Sequence, residues 1–485
     1  MKAKQIFSLL LIACIAAGTI ACGSADDGNK TGGDTTAPSD TSADTTADNS
    51  GTDDLPEADF EGRTFKVLSA ESTAYKGYID VEEETGDVLN DAIYKSNRKV
   101  EERFNFVIEQ TSMGAVDANN AGGKIIMAGD HEYDIISLTD RLALSYAVQG
   151  MLYSYADMPY IDLSKSYWCQ SINDSMTVGN NQWLAYGDFN LSVYDYTYAL
   201  AFNKQLLEDL ALDDPYALVD SGKWTYDAFN KMCIAASKDL DGNSTMDDKD
   251  QYGWSAIPKQ VEPTMWVAAG VQSIKKDADD LPYFSMETDE KFINVFVEIV
   301  EMAWNNDAWY KTTMNDNITK DPMFSNGNAL FQTTSFGLLD TGYYRDMIID
   351  YGILPHPKYD EAQESYYTRV EGGRIFAIPV TTTDLEFTGT VLEALSYQAS
   401  VDIIPAYFEV CLKTKYTRDE ESSRMFDLIM NTRVYDLGDT FWCEQIRDNF
   451  VSKLFTAGDT NITSAIAQNK EKCVTKIQET IDALK

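Results

Sequence analysis

Apolar and polar positions along this chain mark out alternating strands and helices. Thr64-Phe-Lys-Val-Leu68 reads as a first strand, and from Asp87 onward Val88, Leu89, Ala92, Ile93, Val100 and Phe104 recur at helical spacing. Phe106-Val-Ile108 is a second short strand, Gly123-Lys-Ile-Ile-Met-Ala128 reads as helix, and Tyr133-Asp-Ile-Ile-Ser137 is a third strand leading into Leu138-Thr-Asp140-Arg141. Further on, Tyr196 to Phe202 reads as a strand, and Asn203 is placed to cap a helix carrying Leu206, Leu207 and Leu210. Pro215 marks a turn, and Thr225, after Gly222-Lys-Trp, is placed to cap another helix. Phe324 to Phe331, with Gly327 between, reads as helix end, turn and strand. Tyr351-Gly-Ile-Leu-Pro355 and Arg374-Ile-Phe-Ala-Ile-Pro379 are short strands closed by proline, which suits chain crossings better than central strands. A last helix sets Ile466, Cys473, Val474, Ile477, Ile481 and Leu484 on one face. Strands alternating with helices predict an α/β fold with a parallel, doubly wound sheet. Ligands of such sheets sit beyond the carboxyl ends of the strands, which is where Ser69 to Glu71 and Asp140 fall.

The first 55 residues follow another pattern. Met1-Lys-Ala-Lys4 precedes an apolar run from Ile6 to Ile20 and then Ala21-Cys22-Gly23-Ser24, which reads as a secretory signal over residues 1–21. The run is shorter than the roughly 18 apolar residues of a membrane-spanning helix. A cysteine at this junction resembles a bacterial lipobox, in which the Cys22 thiol is diacylated and becomes the new N-terminus; two acyl chains anchor stably where one does not. Thr19 departs from the usual Leu of such sites, and Leu11-Ile-Ala-Cys14 is a competing match, so Cys14 is the alternative acylation site and an unanchored secreted chain the alternative fate. Residues 22–55 are rich in Thr, Asp, Gly, Ser and Ala and cannot bury enough apolar surface to offset ordering, so they read as a disordered tether.

From Leu55 to Lys485 the remaining chain exceeds a single ordinary core and predicts two lobes. A formal charge of -39, from 78 acidic and 39 basic residues, excludes nucleic acid and anionic lipid as ligands that need clustered Lys and Arg. Cys169, Cys233, Cys411, Cys443 and Cys473 are scattered without a CxxC, so they predict buried thiols, with room for one pair, and not a disulfide framework or zinc site. His131 and His356 are the only histidines, too few for a His-cluster metal hydrolase.

Taken in order, Val100-Glu-Glu-Arg-Phe-Asn-Phe106, Tyr133-Asp-Ile-Ile136, Asp140-Arg141, Gly150-Met-Leu152, Ala201-Phe-Asn-Lys-Gln-Leu-Leu207, Gly222-Lys-Trp-Thr225, Phe324-Ser-Asn-Gly-Asn-Ala-Leu330 and Tyr351-Gly-Ile-Leu-Pro355 resemble the extracellular solute-binding proteins of bacterial ABC importers. The match is to their family 1, the sugar-binding group that includes maltodextrin-binding proteins, and it covers most of the chain after Phe60. The resemblance implies a type II periplasmic-binding-protein-like fold of two α/β lobes. Lobe I would hold residues 56–195 plus 355–398 and lobe II residues 199–351 plus 400–485, with crossings near Asp195 to Leu200, Ile353 to His356 and Ser396 to Asp402. It implies a lipid-anchored monomer on the outer face of the cytoplasmic membrane that captures a mono- or oligosaccharide between its lobes and hands it to permease subunits. It implies no enzymatic activity and no required cofactor.

A sugar offers hydroxyls and an apolar face, so its site needs carboxylates, amides and flat rings, and this chain has 8 Trp, 28 Tyr and 21 Phe. Most rings in any protein are core, so placement selects among them. Glu71 follows the first strand, where related binders place a carboxylate, or is a solvated loop residue. Asp140 and Arg141 stand where maltodextrin binders carry a hydroxyl-binding pair, or form a local salt bridge or cap. Asp188 and Tyr196 face the first crossing; Trp266, Phe336 and Trp442 match regions that present stacking rings, or pack in the core. Glu371, before Gly372-Gly373, either brings a carboxylate to the cleft or only turns the chain. Separately, Asp239-Leu-Asp-Gly-Asn-Ser-Thr-Met-Asp-Asp-Lys-Asp250 has the spacing of an EF-hand loop, with Asp239, Asp241, Asn243, Asp247, Asp250 and the Thr245 carbonyl as ligands of a structural Ca²⁺. Ser244 replaces the usual Gly and Asp250 the usual bidentate Glu. The rival from another class is a secreted glycoside hydrolase, which needs two carboxylates about 5–9.5 Å apart across a glycosidic bond; no local motif nominates such a pair.

Overall fold

The computed structural model describes residues 52–71, 75–311, 322–339, 341–410 and 420–484. Cys14, Cys22, the tether up to Gly51, Cys411 and the Glu71 side chain lie outside the described residues. Among the described residues no helix is long and apolar enough to cross a membrane.

The strands are β1 (Arg63–Glu71), β2 (Phe106–Gly114), β3 (Ile135–Thr139), β4 (Tyr198–Asn203), β5 (Tyr252–Ala256), β6 (Ile274–Lys276), β7 (Pro282–Phe284), β8 (Trp309–Lys311), β9 (Ala329–Ser335), β10 (Tyr351–Leu354), β11 (Thr368–Arg369), β12 (Arg374–Ala377) and β13 (Arg433–Val434). One sheet has the order β12-β3-β1-β2 and a second β10-β4-β9-β5-β8; β11 pairs with β13 and β6 with β7. In the first sheet β1 is central, and Val67, Leu68, Ser69 and Ala70 are all buried, as both faces of an interior parallel strand must be. At the sheet margin β2 alternates, with Phe106 and Ile108 buried and Val107 exposed. The Val88–Phe104 helix joins β1 to β2, begins at Asp87, whose carboxylate accepts from the Leu89 and Asn90 amides, and packs on the long Leu385–Val410 helix.

The α/β class expected from the sequence holds, with differences in detail. Neither main sheet is purely parallel: β12 runs antiparallel to β3, and β4 antiparallel to both β9 and β10. The sequence pattern carries no direction for a short strand that returns from elsewhere in the chain. β2 extends to Gly114, past the expected Ile108, because its polar half still pairs with Leu68 to Glu71 of β1. Residues 196 and 197 precede β4, and Pro215 opens a helix, Pro215–Asp220, at its first position, where a missing N–H costs nothing. The Ser396 to Asp402 segment is the interior of the Leu385–Val410 helix. Val474 is 44% exposed, turned off the face that buries Ile466, Cys473, Ile477, Ile481 and Leu484. Asn203 and Thr225 cap their helices, accepting from the Leu206 and Ala228 amides. Cys169, Cys233, Cys443 and Cys473 are buried free thiols.

Each main sheet gathers its strand ends at one margin. β1 and β3 are parallel and finish at the same margin of the first sheet, where Arg374 of β12 pairs with Thr139. β5 and β9 are likewise parallel and finish together in the second sheet, where Tyr198 of β4 pairs with Ser335.

Candidate functional site

A connected set of polar side chains joins these two margins. Asp140 opens the helix after β3 and is 2% exposed. One carboxylate oxygen accepts from the Arg141 amide at 2.7 Å, the other from the Tyr435 hydroxyl at 2.9 Å, 295 residues away in sequence. Burial, followed by the neighbouring charge of Glu371, pushes this carboxyl up to about 6. The Arg141 side chain is 51% exposed, with Nη1 3.3 Å from the Cys443 sulfur and 3.9 Å from Asp448.

Glu371 enters the same region from the segment between β11 and β12. Its two oxygens take Nη1 of Arg447 at 3.0 Å and Nη2 of Arg369 at 3.3 Å. Burial alone would raise its pKa, but the Arg369 and Arg447 guanidiniums hold it well below the usual carboxylate range. The turn behind it needs glycine: Gly372 has φ +82°, and a Cβ on Gly373 would stand 2.3 Å from the Tyr186 hydroxyl. Arg369 and Arg447 share a second carboxylate, Asp439, which receives Nε and Nη2 of Arg369 at 2.5 and 2.9 Å and Nη1 of Arg447 at 2.7 Å. The Arg369 guanidinium lies over the Tyr198 ring, 4.4 Å from its centroid.

Aromatic faces complete the set. Tyr75, after β1, stacks on Tyr196 with centroids 3.9 Å apart, and its hydroxyl lies 3.4 Å from Ser335 Oγ at the end of β9. Lys76 fixes that loop to the crossing segment, donating its amide to Asp195 at 2.6 Å. The Glu371 amide donates to the Tyr196 carbonyl at 3.3 Å, so the two connecting segments run side by side.

Of the residues singled out from the sequence, the structure brings Asp140, Arg141, Tyr196 and Glu371 together. Glu71 ends β1 at the same margin, its side chain outside the described residues. Asp188 is buried, 8% exposed, and accepts from the Tyr194 hydroxyl at 2.8 Å, with no hydrogen bond to the set among the described residues. Trp266, Phe336 and Trp442 are each 1% exposed, packed against Phe292, Phe426 and Phe441. Sequence reasoning missed Tyr75, Tyr198, Arg369, Tyr435, Asp439 and Arg447. The available signal was Arg369-Val-Glu371, which places two opposite charges on one face of an extended segment. Surface grooves of about 640 Å³ at Val88, Lys95 and Asp402 and about 590 Å³ at Tyr226, Glu298 and Tyr359 share no residue with the set.

The buried acids give stability a pH dependence. Burial pushes Asp188 and Glu262 each up to about 7, above their unfolded values. A raised acid binds more protons folded than unfolded, so its contribution is complete below the unfolded pKa and is lost as pH rises through the folded one. Glu371, shifted the other way, loses its contribution only under strong acid. The melting temperature is therefore expected to fall between about pH 5 and about pH 8, and Asp188→Asn to flatten part of that slope. Parallel slopes for the two proteins would contradict the assignment.

In the acidic loop, carboxylate oxygens of Asp239, Asp241 and Asp250 come within 4.8 Å of one another. Asp250 is buried and accepts from the Leu240 and Asp247 amides at 2.8 Å each. Asn243 and Asp247 accept from Thr245 and Lys249, at 2.7 and 2.9 Å. Ser244 adopts φ +66°, the conformation for which an EF-hand uses Gly.

No protein-family model matches the chain, and no curated relative does. Solved structures share its fold. The sugar-binding protein MalE from Xanthomonas citri aligns at 12% identity over 85% of this chain and 97% of its own, with a TM-score of 0.57. The maltose/maltodextrin-binding domain MalE of Bdellovibrio bacteriovorus, bound to maltotriose, aligns at 13% identity over 86% and 100%, TM-score 0.53. UgpB from Mycobacterium tuberculosis, in complex with glycerophosphocholine, aligns at 15% identity over 87% and 98%, TM-score 0.54. The fold of this chain is the two-lobed fold of such binding proteins.

Proposed function

We propose that this chain is the solute receptor of an ABC importer and that it binds a carbohydrate where the carboxyl ends of its two main sheets face one another. The observation that carries the reading is the convergence of Asp140, Arg141, Tyr196 and Glu371, from distant parts of the sequence, at that margin of a binding-protein fold. Carboxylates and guanidinium groups suit sugar hydroxyls, and the stacked Tyr75 and Tyr196 suit its apolar face. Two lobes linked by adjacent segments can close on a ligand by hinge motion, and the closed form would dock on permease subunits. The role is capture and delivery, not catalysis.

A thermal-shift screen of mono- and oligosaccharides tests this, since a ligand of the native state alone raises the melting temperature. At least one neutral sugar is expected to shift it by several degrees; a shift with peptides and none with sugars would sink the carbohydrate reading. The same assay tests the acidic loop, which we propose holds a structural Ca²⁺ through Asp239, Asp241, Asn243, the Thr245 carbonyl, Asp247 and Asp250. Millimolar Ca²⁺ should raise the melting temperature of the wild type and leave Asp250→Ala unchanged, whereas equal responses would remove the site. The anchor belongs to the same proposal: Cys22→Ser should release the chain from the membrane fraction, and release only by Cys14→Ser would move acylation to Cys14.

A further inference from the structure

We infer that Gln260 is a specificity-determining residue whose side-chain amide engages a ligand hydroxyl on the second-sheet wall of the site. The inference rests on the carbohydrate reading and deepens it. Gln260 lies in the first turn of the Pro258–Ala268 helix, which starts just past the end of β5. Ligands of α/β sheets bind beyond such ends.

The residue is 8% exposed, and its amide is poorly satisfied. Among the described residues, Nε2 reaches only the Tyr198 hydroxyl, at 3.5 Å, while Oε1 is buried without a partner. A buried polar atom left unpaired carries a full desolvation penalty, so such groups are rare and point to something that completes them. The surroundings say where the amide stands. The Tyr198 ring beside it carries the Arg369 guanidinium, and Arg369 reaches Thr264, one turn further along the same helix face, at 3.5 Å. Gln260 thus borders the network that contains Glu371 and Asp439.

The chemistry of the amide selects the partner. It offers a carbonyl that needs a donor and an N–H that needs an acceptor, and the two ends can exchange by rotation. A hydroxyl serves either end because it both donates and accepts. An ionised carboxylate or phosphate supplies no donor to Oε1. Gln260 therefore favours a neutral, hydroxyl-bearing ligand over an anionic one of the same size.

The effects on stability and on binding have opposite signs, which separates this role from a structural one. Removing an unpaired buried amide is expected to leave the sugar-free protein as stable as wild type or more so. Removing a ligand contact is expected to weaken binding about tenfold. The test is calorimetric titration of the full chain and of the Gln260→Leu and Gln260→Met variants with a panel of neutral sugars that includes maltotriose, alongside melting curves without sugar. Expected is an unchanged or higher sugar-free melting temperature with about tenfold weaker binding in whichever apolar variant folds. Wild-type affinity in that variant would overturn the inference and leave the carbohydrate reading standing. So would a lower sugar-free melting temperature in both variants with affinity unchanged. Failure of the wild type to bind any sugar of the panel would overturn both.

Discussion

Asp439→Ala is expected to lower stability by about 3–5 kcal/mol, because it strips a buried carboxylate from two buried guanidinium groups at once. The Asp439 side chain is wholly buried, Arg369 is 1% exposed, and Arg447 is 7% exposed. Three charge-assisted hydrogen bonds of 2.5 to 2.9 Å end on this one carboxylate. Its loss leaves Arg369 with Glu371 at 3.3 Å as its remaining ion pair. A lower urea midpoint with an unchanged slope would report the loss. A double change, Arg369→Met with Asp439→Leu, should recover much of it, since an apolar replacement removes both desolvation costs together. A midpoint for Asp439→Ala equal to wild type would show that the network contributes nothing to the fold.

Asp140→Ala is expected to weaken sugar binding by about 10- to 150-fold, the range for removing a hydrogen bond to a charged group. The carboxylate sits at the amino end of a helix, where the helix dipole favours its negative charge, and burial with Glu371 nearby works against that charge. A ligand hydroxyl that donates to it relieves this conflict. Asp140→Asn keeps an acceptor for Tyr435, so it should fold nearly as wild type and still lose affinity through the missing charge. Calorimetric titration of both variants with the sugar found in the thermal screen measures the effect. Equal affinities for wild type and both variants would remove Asp140 from the site.

Much of the first sheet was legible in the sequence because it forms from consecutive, strongly patterned segments. The spacing of Leu89, Ile93, Val100 and Phe104 and the caps at Asn203 and Thr225 are local, and local rules suffice for them. Strand direction in β12 and β4 was not legible, since it depends on pairing across long sequence separations. The same limit applies to the site. Asp140, Arg141 and Glu371 stand at strand ends or glycine turns and could be placed. Tyr435, Asp439 and Arg447 meet them from a C-terminal segment with no distinguishing motif. The Pro258–Ala268 helix is buried at every position except Lys259, so no amphipathic stripe tells which side faces the polar network. Trp266 was the conspicuous candidate there, and its ring packs on Phe292 while Gln260 and Thr264 turn toward Tyr198 and Arg369.

The proposed function places one sugar between the carboxyl ends of the two main sheets. A crystal structure of the chain grown with the sugar that gives the largest thermal shift decides whether it sits there. Density for that sugar is expected against Asp140 and Arg141 on one side and Gln260 on the other, with its apolar face toward Tyr75 or Tyr196. Sugar bound only on an outer face, with the region between Asp140 and Gln260 unchanged, would contradict it.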